Sequence, residues 1–193
     1  MAYLKVAEVR AAARAGLPVQ KSAGRVLGEQ ARAFDAASGY DIFLSHSFDD
    51  AELIYGVKRM IENLNLSVYV DWIDDPSLDR NRVTVKSAAA LRERMKACSS
   101  LVYAHSANSS SSVWMPWELG FFDGMKPRQV WILPLVATYD SEFKDQEYLG
   151  LYPAVEKLSD LGGGRTKLGF DNVGRDNHQV LLEKAVRGNG VYY

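Results

Sequence analysis

At 193 residues, 47% hydrophobic and 24% charged, the chain has the size and composition of one soluble globular domain, which excludes a disordered or fibrous protein. The formal net charge of −1 provides no general attraction for nucleic acid or anionic lipid, although residues 1–39 hold six Lys/Arg against three Asp/Glu. A single cysteine, Cys98, rules out an internal disulfide, and no Cys/His spacing points to zinc. No apolar run approaches the roughly 20 residues of a membrane span, and charges at Lys5, Glu8, Arg10 and Arg14 interrupt any secretory core, so a cytoplasmic setting is expected.

In chain order, residues 3–35 read as two Ala-diluted helices, Tyr3 to Ala15 and Ser22 to Phe34, broken at Gly16-Leu17-Pro18. Their few apolar residues cannot make a core alone, so the pair is expected to dock on the rest of the chain or to mediate assembly. Ala36 to Gly39 forms a joint. Tyr40 to Ser45 is an apolar run suited to a strand buried on both faces. Ser47 with Asp50 then reads as the cap of a helix whose apolar face is Leu53, Ile54, Val57, Met60, Ile61 and Leu64. Ser67 to Trp72 is a second strand, Ile73 to Val85 a polar loop around Pro76, and Ala88, Leu91, Met95 and Cys98 mark a second helix. Leu101 to His105 is the third strand and Asn108 to Ser112 a Ser-rich loop. A helix from Val113 to Met125 leads to the fourth strand, Gln129 to Val136. Tyr148 to Leu158 supplies a short fifth strand or a helical turn, Gly162 to Gly164 a loop, and Asp176 caps a last helix that stops at Gly188.

Strands alternating with helices at this spacing imply an α/β, flavodoxin-like three-layer sandwich. Its central parallel sheet has four or five strands and is preceded by a short helical extension. The expected units are a helical extension over 1–39, the α/β domain over 40–158, and a Gly-rich loop with a C-terminal helix over 159–193. Ligand sites in such sheets lie outside the carboxyl ends of the strands. Here those ends carry Ser45-His46-Ser47, Asp71-Trp72 and His105-Ser106, and Trp114 to Glu118 opens a helix at the same edge.

Tyr40-Asp41-Ile42-Phe43-Leu44-Ser45-His46-Ser47, Val68-Tyr69-Val70-Asp71 and Trp114-Met115-Pro116-Trp117-Glu118-Leu119-Gly120 resemble the three signature boxes of TIR (Toll/interleukin-1 receptor) domains, closest to bacterial anti-phage defence proteins of the Thoeris type. The resemblance covers roughly residues 40–158. It implies an NAD⁺ glycohydrolase or ADP-ribosyl cyclase that breaks the nicotinamide–ribose bond, with NAD⁺ as substrate and neither cofactor nor metal. It places the essential glutamate of the W-x-x-x-E pattern on Glu118. It also implies substrate contacts from Ser45, His46, Asp71, Trp72, Trp114 and His105, self-association through the domain, and a cyclic nucleotide signal read by a separate effector protein. No nucleic acid or membrane partner is expected. The loop Ile73 to Val85 stands where the family has its BB loop, but lacks the glycine that such loops often carry.

The residues themselves leave alternatives open. Glu118 also reads as a first-turn glutamate in a helix dipole, Trp114 as core packing, each histidine as an ordinary hydrogen-bonded one, Ser45 and Ser47 as caps, and Asp71 as the start of a turn. A receiver domain would need acidic residues where Ser-His-Ser and His-Ser stand, and no phosphate-binding G-x-x-x-x-G-K-[ST] loop is present. The remaining rivals are a non-enzymatic TIR scaffold and a nucleoside deoxyribosyltransferase-like enzyme.

Overall fold

In the computed structural model the residues described are 2–18, 21–32, 39–71, 84–138, 146–158, 167–171 and 179–188. The core is a five-stranded, wholly parallel sheet built from β1 (Leu4–Lys5), β2 (Tyr40–Ser45), β3 (Val68–Tyr69), β4 (Cys98–His105) and β5 (Val130–Val136). Their order across the sheet is β1-β5-β4-β2-β3. The flavodoxin-like α/β class follows directly: the chain goes out from β2 to β3 on one side, then returns past β2 to β4 and β5 on the other.

Alternation along each strand explains why both faces are covered. Ile42, Leu44, Val68, Val102, Ala104, Trp131 and Leu133 point to one side, where α1 (Val6–Gly16), α2 (Ala23–Arg32) and α3 (Ala51–Glu62) pack. Phe43, Tyr69, Leu101, Tyr103, Val130 and Ile132 point to the other, against α4 (Val85–Lys96) and α5 (Trp114–Met125). Each of these strand residues is essentially inaccessible, the signature of a parallel sheet sandwiched between helices.

The N-terminal segment does more than dock. Leu4 and Lys5 pair with Leu135 and Val136 and so supply the fifth strand. The sequence reading offers Tyr148 to Leu158 as a short fifth strand or a helical turn; a turn forms there, and the fifth strand of the parallel sheet comes from the N-terminus instead. Glu147–Leu151 forms a 3₁₀ turn, while β6 (Glu156–Leu158) joins a separate antiparallel sheet with β7 (Lys167–Asp171) and β8 (Gln179–Leu181), in the order β6-β7-β8. That second sheet has no counterpart in the sequence reading. Trp131 of β5 and Phe170 of β7 stack at 6.0 Å between ring centroids, joining the two sheets. The C-terminal helix is one short turn and a half, α6 (Leu182–Val186), with Leu182, Ala185 and Val186 buried. It stops as expected at Gly188, whose φ of +75° suits a residue without a Cβ. Asp176 and the Gly162 to Gly164 stretch lie outside the described residues.

The start of α3 also differs from the expected cap. Ser47 precedes a 3₁₀ turn, Phe48–Asp50, but makes no side-chain cap. Asp50 faces another loop entirely. No described helix is long and apolar enough to cross a membrane.

Helix α1 lies so close to α3 that a Cβ at Gly56 would collide with the Val9 carbonyl. Gly56→Leu is therefore expected to destabilise the fold by about 1–3 kcal/mol in urea titration, the usual range for overpacking; unchanged stability would mean that α1 is not seated there. The N-terminal segment is also held by Lys157, which donates at 2.8 Å to both oxygens of Glu8. Burial alone would raise the Glu8 pKa, but the hydrogen bonds and charges of Lys157 and Lys5 outweigh it and hold the carboxyl below its ordinary value. A carboxyl depressed in the fold stabilises above its unfolded pKa, and that contribution is lost as pH falls through the folded value. The stability gap between wild type and Glu8→Gln should hold from neutrality down to about pH 5 and close below about pH 4; thermal melts across that range would check it.

Candidate active site

Strand order reverses between β2 and β4, and a crevice is expected where the two diverge at their carboxyl ends. Ser45 pairs with Tyr103 in register, so His46 comes level with Ala104, while His105 at the end of β4 keeps the parity of Tyr103 and Ser45. The parity that buries Phe43 and Tyr103 against α5 also directs Ser45 to that face. There the Ser45 hydroxyl donates to Glu118 Oε2 at 2.6 Å. Residues 73 positions apart in sequence thus meet at one carboxylate.

Glu118 is wholly inaccessible to solvent, in the second turn of α5. Burying a carboxylate is costly unless donors meet it, and the short hydroxyl bond is one such donor. Trp114 is on the same helix face, four residues earlier, and is 4% exposed. It packs edge-on against Trp117 at 5.5 Å and belongs to the core between α5 and the sheet. Trp117 in turn stacks on Phe121, with the Arg92 guanidinium 5.2 Å from its ring centre. The core-packing alternative for Trp114 is thus what the side chain does in this arrangement.

His46 is buried, with Nδ1 2.9 Å from the Leu44 carbonyl. That contact assigns the proton of the neutral ring to Nδ1 and makes Nε2 the acceptor. His105 is half-buried and stacks on Tyr103 at 6.4 Å. Asp71, nearly inaccessible at the end of β3, accepts from Arg94 Nη1 at 2.8 Å and from the Tyr69 hydroxyl at 3.3 Å. Burial, and next the Asp71 charge, push the Tyr69 phenol well above its ordinary pKa. Asp71 therefore fastens β3 to α4 rather than simply opening a turn. Trp72 and residues 73–83 of the charged loop lie outside the described residues.

Some participants escape the sequence reading. Arg94 carries no motif; only the fold brings it to Asp71. Asp50 reads as part of a cap and instead bonds to Ser106 and Asn108. Ser106 reads as part of a strand end at the ligand edge and Ser109 as part of a Ser-rich loop, and the structure buries both. Cys98 is no nucleophile candidate, because burial pushes its thiol up to about 12. Among the described residues no group of three or more His, Cys, Asp or Glu is placed to hold a metal ion.

The Ser45–Glu118 bond should be measurable. A double-mutant cycle of Ser45→Ala and Glu118→Ala, read by urea unfolding, is expected to give a coupling of about 1.5–3 kcal/mol, as for a hydrogen bond to a charged group. Additive effects would show that the two side chains do not interact in solution.

No family model matches the chain. A protein of Bacillus cereus (strain MSX-D12), named provisionally as the 3′ cyclic ADP-D-ribose synthase ThsB′, is 53% identical over 138 residues, which cover 71% of this chain and 71% of the relative. A protein of Cytobacillus dafuensis, also named provisionally, as the cyclic ADP-D-ribose synthase TIR2, is 31% identical over 83 residues; these are 42% of this chain and 22% of that longer protein. With the first relative aligned at this identity over most of both chains, the chain belongs to the Thoeris-like TIR protein family.

Proposed function

We propose that this protein cleaves NAD⁺ at the nicotinamide–ribose bond and closes the ADP-ribosyl fragment into a cyclic nucleotide, as a signal in anti-phage defence. The observation that carries this reading is the buried Glu118 carboxylate, held by Ser45 at the point where strand order reverses. The names of the relatives support the substrate class and the ring closure.

The chemistry asks little of the protein beyond electrostatics and shape. As the bond breaks, its electron pair goes to the pyridinium nitrogen, and nicotinamide departs neutral without an acid. Positive charge develops on the ribose as an oxocarbenium-like cation. A carboxylate already fixed in a dry site stabilises that charge without reorganising, which lowers the barrier relative to the ground state. Ser45 orients the carboxylate, and His46 and His105, at the ends of the adjacent strands β2 and β4, are candidate substrate contacts. Trp114 fixes the turn of α5 that carries Glu118. Asp71, just beyond β3, is a further candidate substrate contact.

The cation is then captured either by water, giving ADP-ribose, or by a nucleophile of the same molecule. The name of the Bacillus cereus relative specifies a 3′ product, which favours a ribose hydroxyl over an adenine nitrogen as the attacking group. A site that encloses Glu118 favours internal capture, because water is excluded. The enclosure also requires the crevice to part before NAD⁺ enters. Exposed Phe48 and Val113, next to the Ser-His-Ser and Trp114 stretches, support self-association at that edge. A cyclic product would act on a separate effector protein.

Purified protein incubated with NAD⁺ should release nicotinamide together with a product one water lighter than ADP-ribose by mass spectrometry. Glu118→Ala should lose roughly 10²–10³-fold in rate, the scale of removing one preorganised electrostatic partner. Silence of the wild type at high concentration with a crowding agent would overturn the enzymatic reading. Full activity in Glu118→Ala would overturn the assignment of the residue.

A further inference from the structure

Besides the Ser45–Glu118 bond, a second buried side chain ties the chain leaving β2 to the chain leaving β4. Asp50 ends the 3₁₀ turn after Ser47 and is 6% exposed. One of its carboxylate oxygens accepts from the Ser106 hydroxyl, and the other accepts from Asn108 Nδ2 at 2.7 Å. Ser106 comes directly after the last residue of β4, so this carboxylate bridges the chain leaving β2 and the chain leaving β4.

The loop it holds is a continuous hydrogen-bonded run. The Ser106 amide donates to Ser109 Oγ at 2.8 Å, and the Asn108 amide donates back to Ser106 Oγ at 3.1 Å. The Ser109 hydroxyl also reaches the Ala104 carbonyl at 3.3 Å. The Ser111 hydroxyl donates to the Asn108 carbonyl at 2.7 Å, and the Ser112 amide bonds to the Ser109 carbonyl at 3.1 Å. Ser112 Oγ then accepts from the Met115 amide at 3.3 Å, in the first turn of α5. An unbroken set of bonds thus leads from Asp50 to the helix that carries Glu118. The loop from Ser106 to Ser112 has only polar or small residues, so hydrogen bonds rather than large apolar side chains set its path. A buried carboxylate that uses both oxygens is therefore the strongest local determinant of it.

We propose that Asp50 is a positioning residue of the active site, setting the wall that carries His105, Trp114 and Glu118 relative to the wall that carries Ser45 and His46. The inference rests on the NAD⁺-cleaving reading for its catalytic consequence, but its geometric part does not. Positioning matters because a misplacement of about 1 Å at a reacting centre costs up to about 100-fold in rate.

The partners allow a reciprocal test. Asp50→Asn turns one acceptor toward the Asn108 amide into a donor, and Asn108→Asp sets a second carboxylate against Asp50. In the combined D50N/N108D protein the donor and acceptor simply exchange places, while Ser106 can still donate to the amide oxygen introduced at position 50. Each single variant is expected to lose about 10- to 100-fold in kcat/KM for nicotinamide release, and the double variant to recover to within about threefold of wild type. Amide hydrogen exchange gives a readout that needs no activity. Exchange at Ser106, Asn108 and Ser112 should speed up in the single variants and slow again in the double. If Asp50→Asn does not fold, Asn108→Ala at the exposed end of the same bond replaces it. Unchanged exchange in the variants would overturn the geometric proposal, whether or not wild type cleaves NAD⁺. Faster exchange with kcat/KM intact, or no recovery in the double variant, would overturn the catalytic one. A wild type that releases no nicotinamide but shows the exchange pattern would overturn the proposed function and leave Asp50 as the support of the loop.

Discussion

The fold turns on a single constraint: β2 is paired on both sides and buried on both faces. Its neighbours β3 and β4 take its backbone groups, and helices cover Ile42 and Leu44 on one face and Phe43 on the other. A strand so enclosed satisfies its backbone donors and acceptors within the sheet, so its register is fixed. Register decides which side chain meets Glu118, because it makes Ser45 the residue that faces α5 and sends His46 the other way. Slipping β2 by one residue would exchange the two and separate Ser45 from Glu118.

Having fixed the backbone, the protein tolerates polar burial at one end of it. Ser45, His46, Ser47, Asp50, Asp71, Ser106, Ser109 and Glu118 are all essentially buried around the carboxyl edge. Each buried carboxylate there meets a donor: Ser45 for Glu118, Arg94 for Asp71, Ser106 and Asn108 for Asp50. Polar networks of this kind stabilise only when well satisfied. They concentrate at the carboxyl edge, whereas most of the sheet's buried residues elsewhere are apolar. The N-terminal segment contributes from a distance. By adding β1 and packing α1 on α3, it closes the sheet edge beside β5 and covers the face that the four later strands would leave short of helices.

How far the sequence reading reaches varies with the range of the forces involved. The strand Tyr40–Ser45 and the helices at Ala51–Glu62, Val85–Lys96 and Trp114–Met125 follow from local hydrophobic spacing, which acts within one element. The Gly188 stop is equally local. The strand Leu4–Lys5 is not legible, since two residues carry no periodicity and only the free edge of β5 gives them a role. The small sheet of β6, β7 and β8 escapes notice because its strands are three to five residues long and pair across the Gly-rich stretch. Asp50 misleads because Ser-x-x-Asp resembles a capping pattern, and its real partners stand 56 and 58 residues further on.

By itself the sequence determined the alternation of strands and helices, and the W-x-x-x-E and Ser-His-Ser motifs that name the family. Both depend on residue type and spacing within a few positions, and survive any rearrangement elsewhere. Only the tertiary structure decided that Ser45 holds Glu118, that Trp114 lies in the core against Trp117, that Asp71 is fastened by Arg94, and that Asp50 joins the crevice walls. Most of these are contacts between residues far apart in sequence, made when strand order reverses beside β2, and no local pattern encodes which distant partner a polar side chain will meet.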